Sequence, residues 1–251
     1  MNLKEISRKY KTDKENEHEY LETYEKHFGN TIKREDVKKV VEIGIYYGDS
    51  LLMWAEYFPN AQIIGADIID YSATDYKLSL DGKTLIDRSD VLLNHPRIKT
   101  YVLDQTDEKS IKDFKFNIGN DCDILIDDGG HSMEMHQKTL KHLLDCVSLK
   151  GLYIIEDLQT SYLPNFGGSR INLKKNTSMN FVKSLADSIN YELNDRPFYK
   201  KNKFDGYIKF VHFFQNIAFI KKDKTNQFFY NSDVKNSLIS KIKKIISFFY
   251  K

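Results

Sequence analysis

Apolar residues occur in short runs that alternate with stretches of helical periodicity through the middle of the chain. Five of these runs predict buried strands, at residues 37–45, 61–68, 98–103, 122–126 and 152–155. Helical patterns separate or follow them at residues 50–58, 107–114, 133–147 and 180–189. This alternation predicts a parallel sheet with helices on both faces.

Two further apolar runs, 207–214 and 216–221, are joined at Gln215-Asn216 and predict an antiparallel pair at one edge. The expected architecture is therefore a Rossmann-like α/β fold with a mostly parallel seven-stranded sheet. Residues 1–34 are polar and aromatic, with Tyr20, Tyr24 and Phe28 on one helical face, and we expect a helical lid segment there. Residues 35–222 would form the main domain.

The last residues, 223–251, form a basic pattern with helical amphipathicity. Five apolar side chains fall on one face, Ile239, Ile242, Ile245, Ile246 and Phe249, with lysines elsewhere. Such a helix could lie on an anionic membrane surface. Docking on its own domain or on a second subunit is the favoured alternative, and we expect a homo-oligomer.

Charge and composition restrict the class of protein. Across 251 residues, 38 Lys and Arg against 36 Asp and Glu leave a net charge of +2, which argues against a nucleic-acid binder. No apolar run approaches the roughly 18 residues of a membrane helix. The N-terminus lacks the apolar core of a signal peptide. The two cysteines form no paired motif, so we expect a cytoplasmic protein with reduced thiols.

The segment after the first predicted strand contains a candidate ligand loop. Gly44 and Gly48 have the spacing G-x-x-x-G between a strand and a helix, and Glu42 precedes them. Glycine allows a tight turn close to a ligand, and the helix start offers free N–H groups. The spacing differs from the dinucleotide fingerprint G-x-G-x-x-G. A carboxylate at Glu42 could bind a ligand ammonium group.

The next two strands also end in polar residues. Asp67 ends the second strand, where an acid can accept hydrogen bonds from ribose hydroxyls. Asp104-Gln105 follow the third strand, where they could hold the edge of a base. Because open α/β sheets bind ligands at the carboxyl ends of their strands, the three positions together predict a nucleotide-like site.

Acidic residues and a histidine follow the fourth and fifth strands. The fourth leads into Asp127-Asp128-Gly129-Gly130-His131 and the fifth into Glu156-Asp157. Neighbouring parallel strands would bring these carboxylates together, where like charges raise one another's pKa unless a cation is present. Oxygen ligands favour Mg²⁺ or a similar ion. His131 could accept a proton from a substrate hydroxyl.

These motifs resemble those of class I S-adenosylmethionine (SAM)-dependent methyltransferases, and the acid–histidine cluster resembles that of metal-dependent sugar O-methyltransferases. The resemblance implies Asp128, Glu156 and Asp157 as metal ligands and His131 as the base. It implies SAM contacts by Thr12, Lys14, Glu42, Gly44, Tyr46, Gly48, Ser50, Asp67, Ile68, Asp104, Gln105 and Asp127. Substrate contacts would come from Tyr20, Tyr24, Gln159 and Thr160.

The expected function is therefore SAM-dependent, magnesium-assisted methylation of a sugar hydroxyl. The substrate would be a sugar or nucleotide sugar of surface or capsular polysaccharide or glycoside biosynthesis. A phosphoryl or phosphoramidate oxygen of a capsule precursor is an alternative acceptor. An NAD-dependent oxidoreductase is disfavoured by the missing third glycine, and a non-catalytic SAM-binding module is a further alternative.

Overall fold

The computed structural model describes residues 1–10, 12–16, 19–71, 78–79, 85–86, 94–171, 176–191, 201–225 and 242. The predicted C-terminal helix at 223–251 lies almost entirely outside the described residues. Within the described part of the chain, no helix has the length and apolar character needed to cross a bilayer.

The secondary structure alternates strands and helices in the predicted order. The strands are β1 (Lys39–Ile43), β2 (Gln62–Asp67), β3 (Leu78–Ser79), β4 (Leu85–Ile86), β5 (Ile98–Val102), β6 (Cys122–Asp127), β7 (Val147–Ile155), β8 (Ile208–Phe214) and β9 (Ile217–Lys222). The α-helices are α1 (Leu3–Tyr10), α2 (Asp13–Asn16), α3 (Tyr20–Thr31), α4 (Asp49–Tyr57), α5 (Glu108–Ile118), α6 (Met133–Leu143) and α7 (Ser178–Ile189).

Seven strands form one sheet in the order β5-β2-β1-β6-β7-β9-β8, while β3 and β4 pair separately. The pairings from β5 through β7 are parallel. Strand β9 runs antiparallel to both β7 and β8, so a hairpin closes this edge. The predicted fold class is confirmed, including its antiparallel C-terminal pair.

Alternate residues of the central strands point to opposite faces of the sheet, as strand geometry requires. Val40 joins a core cluster with Trp54 of α4, whereas Val41 joins a second cluster with Phe114 of α5 and Leu140 of α6. Both faces are therefore covered by helices. This double burial explains why the parallel strands read as nearly continuous apolar runs.

The N-terminal segment shares the first of these two clusters. Leu3, Ile6, Tyr24 and Phe28 are at most 1% exposed and lie in the same cluster as Trp54. Helix α1 packs on α4. The side chains of α1 and α3 thus hold the intervening helix α2 against the domain. A boundary at residue 34 stays a prediction.

Strand β7 begins five residues earlier than the sequence pattern indicates. Its first part contains Ser148, Leu149 and Lys150, which are partly or largely exposed and conceal the apolar pattern. Because Cys122 pairs with Val147, the first part of β7 belongs to the sheet. The preceding helix consequently ends at Leu143, and a short 3₁₀ turn at Leu144–Cys146 replaces its predicted last turn.

Substitution of the completely buried Ile124 tests how much the central strand β6 contributes to stability. Ile124→Ala should lower the free energy of unfolding by about 2–5 kcal/mol, because it removes buried methylene groups and leaves a cavity. Urea unfolding followed by circular dichroism measures the change. Phe116→Ala, at a side chain that is 88% exposed on α5, is the control and should have little effect. Equal losses in the two variants would contradict this packing.

Candidate active site at the carboxyl ends of the strands

A cleft of about 1040 Å³ lies along the carboxyl ends of the parallel strands. Most residues predicted to contact a cofactor line it, namely Thr12, Lys14, Gly44, Tyr46, Ser50, Asp67, Ile68, Asp104 and Gln105. The walls also include Asp128, His131 and Asp157. Glu42 and Asp127 are completely buried behind the walls. The fold thus joins the predicted nucleotide-like site and the acid–histidine cluster in one cavity.

Gly44 allows the end of β1 to touch the end of β6. Its φ angle is +79°. A β-carbon at this position would lie 2.0 Å from the carbonyl oxygen of Asp128. Both the backbone conformation and the close approach therefore require glycine. The ligand loop and the acidic loop are in direct backbone contact.

Side chains of the neighbouring elements fix the loop after Gly44. The Asp67 carboxylate accepts hydrogen bonds from the backbone N–H groups of Ile45 and Tyr46, at 2.9 and 3.2 Å. Gly48, with φ of +77°, immediately precedes α4. The Asp104 carboxylate instead accepts bonds from its own turn, from the backbone N–H and the hydroxyl of Thr106.

A buried lysine lies at the centre of the acidic side of the cleft. The Lys14 ammonium group donates to Asp128 Oδ2 at 2.6 Å and to both carboxylate oxygens of Glu156 at 2.9 Å. It also lies 3.1 Å from Glu42 Oε1. The other Glu42 oxygen accepts a bond from the Ser50 hydroxyl at 2.6 Å. Lys14 therefore links α2 to the ends of β1, β6 and β7.

Burial and mutual charge set the protonation of this cluster. Burial, then the charge of Glu156, raises the pKa of Asp128 well above its usual value. Burial likewise raises the pKa of Glu156, although Lys14 opposes this. Burial alone lowers the pKa of Lys14, but the carboxylates of Asp128, Glu156 and Glu42 raise it well above its usual value. The lysine is thus held as a cation.

The predicted substrate residues Tyr20 and Tyr24 are buried, and their hydroxyl groups point at carboxylates. Tyr24 donates to Glu156 Oε1 at 2.5 Å, and Tyr20 donates to Asp157 Oδ1 at 2.7 Å. Gln159 Nε2 also donates to Asp157 Oδ1, at 3.0 Å. In this structure the three side chains orient the acidic residues.

His131 and Asp157 face each other across the cleft wall. His131 Nδ1 lies 3.4 Å from Asp157 Oδ2, and both residues have left-handed backbone conformations, with φ of 54° and 52°. Thr160 donates its hydroxyl to the His131 carbonyl oxygen at 2.9 Å. Such conformations in non-glycine residues cluster at functional sites.

One ligand atom each from Asp128, His131 and Asp157 lies within 4.8 Å of the others, a spacing that could hold a metal ion. Two of these residues belong to the predicted metal set. The third predicted ligand, Glu156, lies directly behind with both oxygens hydrogen-bonded to Lys14. A carboxylate-rich group of this kind fits a hard cation such as Mg²⁺.

Asp127 forms a buried polar centre that sequence reasoning only partly identified. Its carboxylate accepts bonds from Gln105 Nε2 and the Tyr153 hydroxyl, each at 3.0 Å, and from the Thr139 hydroxyl. Tyr153 and Thr139 belong to no recognisable sequence motif. The one indication in the sequence that such residues exist is that a buried carboxylate needs several hydrogen-bond donors. These side chains meet Asp127 because β6 pairs with β7 and α6 packs against β7.

Comparisons with known proteins connect this arrangement to a family, although no protein-family model matches the chain. The demethylmacrocin O-methyltransferase of Streptomyces fradiae is 34% identical over 230 residues, 88% of this chain and 53% of the relative. A rhamnosyl tetracenomycin-C 2'-O-methyltransferase of Streptomyces olivaceus is 32% identical over 225 residues, 86% of this chain and 53% of the relative.

The solved structures agree with these relatives. MycE methyltransferase from the mycinamycin biosynthetic pathway, in complex with Mg and SAH, superposes with a TM-score of 0.75 and 32% identity. The match covers 90% of this chain and 55% of that protein. The chain belongs to the class I methyltransferase family. It spans about half the length of the curated relatives it matches.

Removing the buried cation should destabilise this methyltransferase fold. Lys14→Met leaves the buried carboxylates of Glu42 and Glu156 and the partly buried carboxylate of Asp128 without their ammonium partner. We therefore expect the free energy of unfolding at pH 7 to fall by about 3–5 kcal/mol. The pKa values of Asp128 and Glu156 are already raised and should rise further in the variant. The decrease in the free energy of unfolding should therefore reach its full size above those pKa values and become smaller as the pH falls through them.

Urea unfolding at several pH values measures this effect. Lys9→Met is the matched control, because Lys9 forms an ion pair with Glu56 at 2.6 Å but is 59% exposed. Its loss should lie within experimental error, since exposed ion pairs contribute little. A pH-independent difference between the two variants would contradict the electrostatic role of Lys14.

Proposed function

We propose that this chain is a SAM-dependent, magnesium-assisted O-methyltransferase that acts on a sugar hydroxyl. The observation that carries the proposal is the convergence of Asp128, His131 and Asp157 on the wall of a nucleotide-sized cleft. The relatives are named as O-methyltransferases, one of them for a rhamnosyl tetracenomycin-C, and support the reaction type. The MycE complexes with Mg and SAH support the pair of ligands.

SAM would occupy the part of the cleft beside β1, β2 and β5. The Gly44 loop and the carboxylate of Asp67 would face its methionine and ribose parts, with Asp104 near the base. Tyr46 and Ile68 support this assignment, because they line the cleft and yet are 57% and 63% exposed. Exposed apolar side chains in a cleft commonly mark a ligand surface.

The cation would be held by Asp128 and Asp157, with Glu156 as the third ligand. Asp128 and Asp157 already line the cleft. Both oxygens of Glu156 accept bonds from Lys14, so coordination by Glu156 requires exchange of one of those bonds. Bound Mg²⁺ would lower the pKa of an acceptor hydroxyl, and SAM would supply the methyl group.

The residues of the chain would align the acceptor and remove its proton. His131 would accept the hydroxyl proton on its imidazole as the acceptor oxygen bonds to the methyl carbon and the carbon–sulfur bond breaks. Asp157, 3.4 Å from His131 Nδ1, would orient the imidazole and stabilise its charged form. Alignment of oxygen, carbon and sulfur supplies much of the rate enhancement in such displacements.

We further propose an acceptor from glycoside or surface-polysaccharide biosynthesis in the cytoplasm. A glycoside acceptor is supported by the Streptomyces olivaceus relative, whose name specifies a rhamnosyl tetracenomycin-C. A screen of sugars, nucleotide sugars and capsule precursors with SAM, read by mass spectrometry, identifies the acceptor. Methylation of a phosphoryl oxygen instead of a hydroxyl would overturn the sugar-hydroxyl assignment.

Substitution of the proposed base tests the mechanism. His131→Ala should lower kcat by roughly 10²- to 10⁴-fold, because the acceptor proton loses its positioned base. Binding of SAH by calorimetry should be largely retained. His142→Ala is the control, because His142 lies on helix α6, which follows the His131 loop, but does not line the cleft. This variant should keep its activity. Full activity of His131→Ala would refute the assigned base.

Metal removal provides an independent test. Treatment with a chelator should abolish most methyl transfer, and added Mg²⁺ should restore it, because the cation lowers the acceptor pKa. Calorimetric titration of the protein with Mg²⁺ should show binding that Asp157→Asn weakens. Activity that survives complete chelation would exclude the metal-assisted route while leaving SAM-dependent transfer possible.

A further inference from the structure

Gln105 lines the cofactor cleft, but both ends of its side-chain amide bind the protein itself. Its Nε2 donates to Asp127 Oδ1 at 3.0 Å, and its Oε1 accepts from the backbone N–H of Gly130 at 2.8 Å. The residue is only 7% exposed. An amide that uses one donor and its acceptor in this way is a bridge between two loops, because each bond fixes its position.

One end of this bridge is anchored in the core. Asp127 is completely buried, and the hydroxyl groups of Tyr153 on β7 and Thr139 on α6 also donate to it. A buried carboxylate with three protein donors is held in one position, since moving it would leave polar groups without partners. Gln105 therefore extends from a fixed point.

The other end of the bridge holds the loop that contains the proposed base. Gly130 directly precedes His131, whose carbonyl oxygen is held by Thr160. Gly129 leaves room for the amide, because a β-carbon there would lie 2.0 Å from Gln105 Oε1. The loop is thus fixed at consecutive residues by two side chains from different strand ends.

We propose that Gln105 is a positioning residue that fixes the His131 loop, in place of the contact with a base edge expected from the sequence. The proposal rests on the proposed function for the role of His131. An error of about 1 Å in the position of a reacting group can cost roughly 100-fold in rate. Loss of the bridge should consequently reduce catalysis more than cofactor binding.

The test compares Gln105→Met with Gln137→Met. The first keeps the side-chain size but removes both hydrogen bonds. The second is a matched control, because Gln137 Nε2 donates a hydrogen bond to the Asn176 carbonyl oxygen at 2.9 Å and Gln137 lies outside the cleft lining. Hydrogen exchange of the Gly130 amide by NMR reports the bridge directly. Calorimetry with SAH and steady-state methyl transfer report its consequences.

In Gln105→Met, Gly130 exchange should accelerate at least about tenfold and kcat should fall roughly 10- to 100-fold. The SAH Kd should change less than about threefold. Gln137→Met should match the wild type in all three. Unchanged Gly130 exchange, or a weaker SAH complex with unchanged kcat, would overturn the proposal. The second result would assign Gln105 to the base edge.

Gln105→Glu provides a second variant if the methionine variant does not fold. It keeps an acceptor for Gly130 but replaces the donor to Asp127 with a like charge, so Gly130 exchange should still accelerate. Unaltered exchange in that variant would also count against the bridge. Because exchange requires neither SAM nor an acceptor, it decides the role of Gln105 even if the wild type transfers no methyl group.

Discussion

The Lys14 ammonium group, enclosed by three carboxylates, is the interaction on which the arrangement of the site depends. Parallel strands that end side by side bring Glu42, Asp128 and Glu156 together, and burial makes their mutual repulsion severe. Lys14 is 1% exposed and contacts all three. The geometry of the acidic residues therefore depends on the N-terminal segment that carries Lys14.

Strand order divides the cleft into two chemically different halves. The Gly44 loop and the ends of β2 and β5 provide glycine, backbone N–H groups and the separate acids Asp67 and Asp104. The other half contains the clustered carboxylates and His131, which follow β6 and β7 and are joined by Glu42 of β1. The halves meet where Gly44 touches the Asp128 carbonyl. In the proposed reaction, the methyl donor would lie in the first half and the acceptor in the second half, so methyl transfer would take place where the two halves meet.

The sequence was sufficient to predict the seven strands of the main sheet, apart from the first half of β7, and the residues at the carboxyl ends of the parallel strands, because hydrophobic periodicity and local motifs are short-range signals. It could not predict the partners of those residues. Lys14 and Glu156 are 142 residues apart along the chain, and no local pattern connects them. The direction in which a side chain points has the same limit. The amide of Gln105 could have bound a base edge, whereas in the structure it points toward Asp127 and Gly130.

The balance of charge in this cleft favours the proposed cationic ligands. Glu42, Asp128, Glu156 and Asp157 lie at neighbouring strand ends, and Lys14 is the ammonium group that contacts three of them within the described residues. When all four carboxylates are ionised, an excess of negative charge therefore remains after the lysine is counted. A divalent cation and the sulfonium group of SAM would together offset this excess. The tyrosine hydroxyls on Glu156 and Asp157 stabilise the carboxylates but supply no charge, so the remaining requirement is for ligands that do.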